Sequence, residues 1–293
     1  MASVVTVLVC VALPVVISYR YNVTGANERA PAAQTARNLH WRRRLQHGCC
    51  GVAITSGYKW VITDAWTAAA LLSLACAIFL AVHRLRRRLK SVDKQFLRLF
   101  GPLLRTHEIR GELPSAFWFL AGSAGAVALF SRDIALQSIL HLAVGDPIAS
   151  VVGITMGDRN RVMPKGKSLA GSLAAFLVCS LSTLLLFGCC CHTIDEKANS
   201  FPGGDSDDFP TSTFFGPFNA CDATGWGVGG GGDHLMLLLW FSFLGGVSGA
   251  VGEFVPLGVD DNLSMPIVSG VIFFVLSKFT VGGSGLSLWG VQT

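Results

Sequence analysis

The 293-residue chain is 51% apolar or aromatic and only 14% charged, whereas soluble domains carry about 25% charged residues. Its mean hydropathy of +0.53 is too high for a globule exposed to water on all sides, and the composition also excludes a collagen, a coiled coil and a disordered chain. The net charge of +5 is informative through its distribution along the chain. The sequence predicts an integral membrane protein, provided that the apolar residues form spans.

Stretches of about 20 mostly apolar residues, the length that a helix needs to cross a bilayer, occur seven or eight times. They are 1–19, 48–63, 64–83, 113–131, 133–152, 169–190, 233–252 and 264–281. The stretch 48–63 is short and contains Lys59. The stretch 1–19 is compatible with a cleaved signal peptide, but it has no basic residues ahead of its apolar run, so we expect a retained helix. The fold class predicted is an all-α polytopic membrane protein with about seven to eight transmembrane helices.

Three parts are expected along the chain. Residues 1–47 contain an N-terminal helix and a basic cytosolic segment, residues 48–281 form a polytopic catalytic domain, and residues 282–293 are a tail. Within the second part, the segment 192–232 is acidic and rich in Gly and Pro, a composition typical of a flexible loop. We expect this loop on the non-cytosolic side.

Basic residues are distributed unequally between the two sides of the membrane. If all eight stretches cross, one side carries 20–47, 84–112, 153–168 and 253–263, with 6, 9, 4 and 0 Lys or Arg residues, which is 19 of the 23 in the chain. Basic residues near span ends favour the cytosol, so we expect these segments there. Apolar residues at helical spacing within 84–100 also predict an amphipathic helix in the membrane interface. Its basic residues suit a topology signal that contacts anionic headgroups, with direct substrate binding as the alternative.

Asp146 lies near the cytosolic end of the stretch 133–152 and is followed by Pro147, which is expected to break or kink the helix. A carboxylate at that depth is costly unless it is paired or binds a cation, so Asp146 is a functional candidate. The loop that follows carries four cations that suit phosphate oxygens, as the carboxylate suits magnesium. These cations are Arg159, Arg161, Lys165 and Lys167. The alternative is a positive-inside loop beside a helix cap, which Ser168 is placed to provide.

A second cytosolic segment contains three carboxylates within nine residues and no basic residue. They are Glu253, Asp260 and Asp261. These groups would repel one another unless cations or the basic loop 153–168 neutralise them. The alternative is an N-cap at Asp261 or Asn262 with a turn at Pro256, which accounts for only one of the carboxylates.

Four motifs, in order along the chain, resemble those of the polyprenol kinase family of membrane proteins, which includes CTP-dependent diacylglycerol kinases, dolichol kinases and phytol kinases. They read Arg43-Arg44-Leu45-Gln46-His47; Gly145-Asp146-Pro147-Ile148-Ala149-Ser150 with Gly153 and Gly157; Lys167-Ser168-Leu169-Ala170-Gly171-Ser172; and Glu253 with Asp260-Asp261-Asn262 and Pro266. The resemblance covers most of 42–281. The chain departs from the family pattern at Arg44, where the family has Lys, in the long loop 192–232, and in its extra N-terminal span.

The resemblance implies phosphoryl transfer from CTP to a lipid alcohol, with Mg²⁺ or another divalent cation as cofactor. It implies an integral protein of the endoplasmic reticulum membrane whose active site faces the cytosol, and we expect no nucleic-acid partner. Asp146, Lys167 and Glu253 are the implied catalytic residues, and Asp146 either binds magnesium or accepts the hydroxyl proton. The implied phosphate-binding residues are Arg161, Lys165, Lys167 and Ser168. The implied metal ligands are Asp146, Asp260 and Asp261, with Glu253 completing the shell; the further site residues are Arg44, His47 and Asn262, the last to orient a ligand or to cap a helix.

Two features of the sequence bear on which lipid is phosphorylated. The residues Thr106-His107-Glu108 followed by Phe117-Trp118-Phe119-Leu120 are similar to a segment of the diacylglycerol kinases, whereas Gly145–Ser150 is closer to the dolichol and prokaryotic members. We expect diacylglycerol, with dolichol and then phytol as alternatives. Alternatives from other classes are a phosphatidate cytidylyltransferase and a transporter of an anionic metabolite. Ionisable residues at one face and the lack of an inverted repeat disfavour the transporter.

Overall fold

The structure is a computed structural model that describes residues 41–62, 64–156, 167–190, 233–255 and 257–283. The predictions made for the span 1–19, for Arg161 and Lys165, and for the loop 192–232 fall outside these residues.

Every regular element among the described residues is helical. The helices are α1 Trp41–Trp60, α2 Ala65–Arg88, α3 Lys90–Phe100, α4 Thr106–Ile109, α5 Ser115–Leu129, α6 Arg132–Thr155, α7 Leu169–Cys190, α8 Asp233–Phe254 and α9 Asp261–Gly283. Within α6, the residues His141–Gly145 form a π turn.

Five of these helices, α2, α6, α7, α8 and α9, are long and apolar enough to cross a membrane. Helix α5 is apolar but has only 15 residues, and α1 has the length of a span but begins with a basic cluster. The described part of the chain therefore confirms the all-α fold class. It contains five candidate spans, and the predicted number of seven to eight is not established.

Helix α1 connects the two ends of the bundle. Its 20 residues extend over about 30 Å. Near its first turn, Arg43 contacts Ser115. Near its last turn, the carbonyl oxygens of Tyr58 and Lys59 accept hydrogen bonds from the Arg132 guanidinium. The helix begins seven residues before the apolar stretch that predicted it, so the basic cluster is helical as well.

Helix α3 is the amphipathic helix predicted from the basic segment. Phe96 is buried against α2, with the Arg86 guanidinium 4.6 Å from the centre of its ring, while Lys90 and Lys94 remain exposed. Leu99 is exposed as well. The predicted apolar stripe therefore divides between contacts with α2 and a surface that faces outward, a distribution that suits a helix lying in the membrane interface.

The spans pack through small residues, because lipid tails offer no hydrophobic force that would drive helices together. A Cβ atom added at Gly249 of α8 would lie 2.5 Å from the Cys179 Sγ atom of α7. A Cβ atom added at Gly153 of α6 would lie 2.7 Å from the Ser168 hydroxyl oxygen. Two of the glycines in the sequence motifs and in α8 thus set the distances between helices around the candidate site.

Candidate functional site

The polar ends of α1, α5, α7, α8 and α9 meet beside α6 at one end of the bundle. The Arg44 guanidinium donates a 2.7 Å hydrogen bond to the Ser150 hydroxyl, and Lys167 pairs with Glu253. The four segments predicted to share one side of the membrane supply these residues or adjoin them. We refer to this group of residues around Asp146 and Lys167 as the candidate site.

Asp146 lies in the interior of α6. It is about 21 Å along the helix axis from Arg132 and more than two turns from Thr155, at 1.5 Å per residue. The prediction that Asp146 lies near the end of its span is therefore corrected, because α6 continues through Pro147 to Thr155. The side chain is half-buried.

Three cationic or titratable groups of α1 surround Asp146. Its carboxylate interacts electrostatically with Arg43, Arg44 and His47. Burial lowers the pKa of the Arg44 guanidinium, and the charge of Asp146 opposes this effect. Because Asp146 and Ser150 are four residues apart on a helix, they share one face, and the hydrogen bond from Arg44 to Ser150 holds the guanidinium along that face.

The π turn before Asp146 accommodates Pro147, which was expected to break or kink the helix. A proline has no N–H and its ring clashes with a carbonyl of the preceding turn. A wider turn removes this conflict while the helix continues. The His47 Nε2 atom lies 3.1 Å from the Leu142 carbonyl oxygen inside this turn. A carbonyl only accepts hydrogen bonds, so Nε2 carries the proton and donates.

His47 is enclosed between α5 and α6. Its ring meets the edge of the Phe119 ring at a centroid distance of 4.6 Å. Burial lowers the pKa of His47, and the Asp146 carboxylate opposes this effect only in part. The imidazole is therefore neutral near pH 7, with Nε2 bound to Leu142 and Nδ1 available as an acceptor.

Arg43 belongs to the same group, although only Arg44 and His47 of its motif were predicted as site residues. Its guanidinium donates a 3.0 Å hydrogen bond to the Ser115 hydroxyl. Burial lowers the pKa of Arg43, with Arg105 adding to this effect and the Glu108 and Asp146 carboxylates opposing it. The spacing of Arg43 and His47, four residues apart on one helix, was the sequence signal that both side chains face the same neighbour.

Lys167 joins the two predicted halves of the site. Its Nζ atom lies 3.3 Å from Glu253 Oε1 and 3.6 Å from Asp261 Oδ2, and it also donates to the Glu253 backbone carbonyl at the end of α8. The Ser172 hydroxyl donates a 3.2 Å hydrogen bond to Glu253 Oε2. The Lys167 and Glu253 side chains are 14% and 13% exposed. The basic segment therefore does neutralise acidic residues of the 253–263 segment, as predicted.

Ser168 caps α7, as predicted. Its hydroxyl oxygen accepts a 3.0 Å hydrogen bond from the Gly171 N–H, so one of the N–H groups left unpaired at the helix start is satisfied. The hydroxyl is buried, and the contact with α6 at Gly153 encloses it. Ser168 sets the position of Lys167 immediately before the helix.

The cap of α9 is Asp260 and not Asp261 or Asn262, the two candidates from the sequence. The Asp260 carboxylate accepts a 3.0 Å hydrogen bond from the Asn262 N–H, which is the geometry of an N-cap. Burial raises the pKa of Asp260, and the bond from Asn262 together with the charges of Arg105 and Arg43 opposes this. The Asn262 side-chain amide donates a 3.4 Å hydrogen bond to the Ser115 carbonyl, so it ties α9 to α5.

The carboxylates of the candidate site do not form a complete metal shell by themselves. Among the described residues, no group of three or more His, Cys, Asp or Glu side chains is arranged to hold a metal ion. Asp260 caps a helix, while Glu253 and Asp261 share Lys167. Magnesium in nucleotide sites is commonly held by one or two carboxylates together with substrate phosphates, and only a site of that kind fits these residues.

Glu108 is the buried acid of the segment between α3 and α5. Its carboxylate accepts hydrogen bonds of 2.7 Å from the backbone N–H groups of Arg105 and Ser115, and its carbonyl accepts one from Arg86. Burial would raise the pKa of Glu108, but these N–H groups and Arg43 lower it below its ordinary value. The sequence offered no sign of this role beyond the family-like Thr106-His107-Glu108 motif.

Comparisons with known proteins agree with the motifs. Over 186 residues the chain is 27% identical to the CTP-dependent diacylglycerol kinase 1 of Eremothecium gossypii, and over 190 residues it is 27% identical to that of Schizosaccharomyces pombe. It is 25% identical over 184 residues to the protein of the same name from Saccharomyces cerevisiae. These alignments cover 63%, 63% and 62% of the chain and 51%, 69% and 55% of the three relatives.

The chain therefore aligns with about half the length of two of these relatives and about two thirds of the third. No family model matches it, and no solved structure matches it. The resemblance to the family of CTP-dependent lipid kinases, expected from the motifs, is confirmed by the relatives.

Proposed function

We propose that the chain is a membrane kinase that transfers the terminal phosphoryl group of CTP to a lipid alcohol. Diacylglycerol is the acceptor that we infer, and phosphatidate is the product. The observation that carries the proposal is the arrangement of Asp146 beside the cations of α1, at the same end of the bundle as the Lys167–Glu253–Asp261 group. The relatives named CTP-dependent diacylglycerol kinase support both the donor and the acceptor.

On the phosphate side, Lys167 is the group that we assign to the transferring phosphoryl group. Its ammonium is held by two carboxylates and a backbone carbonyl, so its position is fixed before a nucleotide arrives. Phosphoryl transfer depends mainly on positioning and on electrostatic stabilisation. Arg161 and Lys165 remain predicted phosphate ligands from the adjoining loop.

On the acceptor side, we assign Asp146 to the proton of the lipid hydroxyl. The hydroxyl oxygen forms a bond to the γ-phosphorus, the bond from that phosphorus to the β-phosphate oxygen breaks, and the proton passes to the Asp146 carboxylate. CDP then leaves. Arg44 and His47 orient the carboxylate from α1.

A divalent cation such as Mg²⁺ is the proposed cofactor. Bound with the phosphates of CTP, it would neutralise charge on the transferring group. Asp261 is the most exposed carboxylate of the Lys167 group, with 47% of its side chain exposed, and Asp260 is adjacent to it. These two acids are the residues that we expect to contact the ion. The endoplasmic reticulum membrane, with the site facing the cytosol, is the location that we infer.

The test is Asp146→Asn in the purified full chain, assayed in lipid micelles with labelled CTP and diacylglycerol. The rate should fall by about 10²–10⁴, the typical contribution of a general base. CTP binding and thermal stability should remain close to those of the unmodified protein. Asp64→Asn is the matched control, because Asp64 caps α2 through Thr67 at the other end of the bundle and Asn also caps helices. An unchanged rate in Asp146→Asn would sink the mechanism.

Dolichol and phytol belong in the same assay as competing acceptors. A higher kcat/KM for dolichol than for diacylglycerol would replace the proposed acceptor while leaving the phosphoryl transfer intact. Release of pyrophosphate in place of CDP would identify a cytidylyltransferase.

A further inference from the structure

A cavity of about 240 Å³ lies between α1, α2, α3 and α5. Most of its walls are apolar. Residues that represent the four helices around it are Ile54, Leu72, Ala75, Phe79, Phe96 and Phe119. None of these apolar side chains has a role in the phosphoryl transfer described above.

The cavity follows one face of α1. Arg43, His47, Cys50, Ile54 and Tyr58 all line it, and their spacing of three or four residues places them on one stripe of the helix. From Arg43 to Tyr58 this stripe extends over about 22 Å at 1.5 Å per residue. One leaflet of a bilayer's hydrocarbon core is about 15 Å thick, half of the usual 30 Å, so the stripe is long enough for the chain of a membrane lipid.

The polar end of the cavity is part of the candidate site. Arg43, His47, Glu108 and Ser115 line it there, and Arg43 and His47 are two of the groups that interact with Asp146. A molecule with an apolar tail and a hydroxyl head would place the tail along α1. Its head would then lie at the end of the cavity where Asp146 is found.

Helix α2 presents apolar residues on two sides. Leu74 and Ile78 are 56% and 57% exposed on the outer surface of a candidate span, where membrane lipid surrounds the protein. Ala75 and Phe79 line the cavity instead. Phe96 and Phe100 of the amphipathic helix α3 also line it, so the cavity lies next to the element that we expect at the membrane interface.

We propose that this cavity receives one acyl chain of the lipid substrate and so places the hydroxyl beside Asp146. The proposal rests on the proposed function for the identity of the head group. The cavity binds an acyl chain because each CH₂ removed from water, at about 0.8 kcal/mol, is equivalent to about a fourfold gain in affinity. The chain between α1 and α2 fixes the distance of the hydroxyl from the carboxylate.

The experiment uses diacylglycerol that carries a photoreactive diazirine in one acyl chain, added to the full-length protein in micelles. After irradiation, mass spectrometry of the peptides should place the label on the cavity side of α1 and α2, at positions such as Ile54 and Phe79. Ala75→Trp should fill the cavity and remove this label. Leu74→Trp, the adjacent residue on the lipid-facing side, is the matched control and should keep it.

The same variants give a second readout through chain length. Ala75→Trp should raise KM for long-chain diacylglycerol by at least about tenfold, which corresponds to losing burial of two CH₂ groups at about fourfold each. Its kcat with dioctanoylglycerol should change much less. Leu74→Trp should leave the chain-length profile unchanged. If Ala75→Trp fails to fold, Ala75→Leu tests the same wall with a smaller side chain.

Label confined to Leu74 and Ile78, or label in the cavity that Ala75→Trp does not reduce, would overturn the proposal. So would an unlabelled cavity in a protein that phosphorylates diacylglycerol, as expected if another part of the chain fills the space; in that case the proposed function survives. Label in the cavity without phosphorylation of any lipid alcohol from CTP would refute the proposed function and leave the cavity as a lipid site.

Discussion

The Lys167 ammonium and a Glu253 carboxylate oxygen lie 3.3 Å apart, although 86 positions of the sequence separate the two residues. The pair joins the start of α7 to the end of α8. Both side chains are mostly buried, so each charge depends on the other for compensation, and removal of one partner leaves a charge that is costly to bury.

A double-mutant cycle tests this dependence. Lys167→Met leaves the Glu253 charge buried and should lower stability by about 3–5 kcal/mol, with loss of CTP binding. Adding Glu253→Gln removes the orphaned charge and should restore most of the stability but none of the CTP binding. Thermal unfolding in micelles and nucleotide titrations measure the two effects. If the double variant is no more stable than Lys167→Met, the pair does not support the fold as described.

Arg44 should be replaceable by Lys but not by an uncharged residue. Its guanidinium makes one hydrogen bond, to Ser150, and faces Asp146; a lysine retains the charge. Arg44→Lys should keep most of the kcat/KM for the lipid, whereas Arg44→Met should lower it by roughly tenfold or more, the equivalent of one charged hydrogen bond of about 1.5–3 kcal/mol. Arg84→Met, at an exposed position of the basic segment, is the control that should have little effect.

His47 should make the protein less stable in acid. Burial lowers the pKa of His47 in the folded state, whereas the unfolded chain binds a proton near pH 6.5. Below that pH the unfolded state takes up a proton that the folded state does not, so stability decreases as the pH falls. His47→Gln keeps a donor for the Leu142 carbonyl and should flatten the decrease in melting temperature between pH 7 and pH 5. An equally steep profile in the variant would assign the acid sensitivity to other groups.

The orientation predicted from the basic residues is open to a direct test. Glycosylation acceptors introduced within 195–230 should be modified, because this segment is expected on the non-cytosolic side, and acceptors introduced within 155–163 should not. The readout is a mobility shift that a glycosidase reverses. Modification at 155–163 would reverse the orientation and move the candidate site away from the cytosol.

Hydropathy and motif order were enough to predict the α-helical fold and several members of the site. Apolar length predicted each of the candidate spans, and the order of charges predicted that a cation such as Lys167 would neutralise acids near α8. Hydropathy could not place the start of α1, because it registers only the apolar run from residue 48. Arginine is a good helix former, and the helix extends back to Trp41.

Other features depend on contacts between distant helices and leave no periodic pattern in the sequence. Glu108 lies in a short loop, and its burial follows from two N–H groups that converge on it. Asp260, Asp261 and Asn262 are equally good N-caps by residue type. Only the direction in which the chain enters α9 selects Asp260.

The π turn in α6 has a consequence for how the carboxylate is aimed. A π turn amounts to a single residue inserted into an α-helix, and one residue corresponds to a rotation of about 100°. The segments Arg132–Leu140 and Asp146–Thr155 are therefore out of phase, so that the first can present Ile134 and Ile139 to the apolar core while the second turns Asp146 toward α1. Deletion of Val144 would bring the two segments into phase and point the carboxylate in a different direction without altering any charged residue.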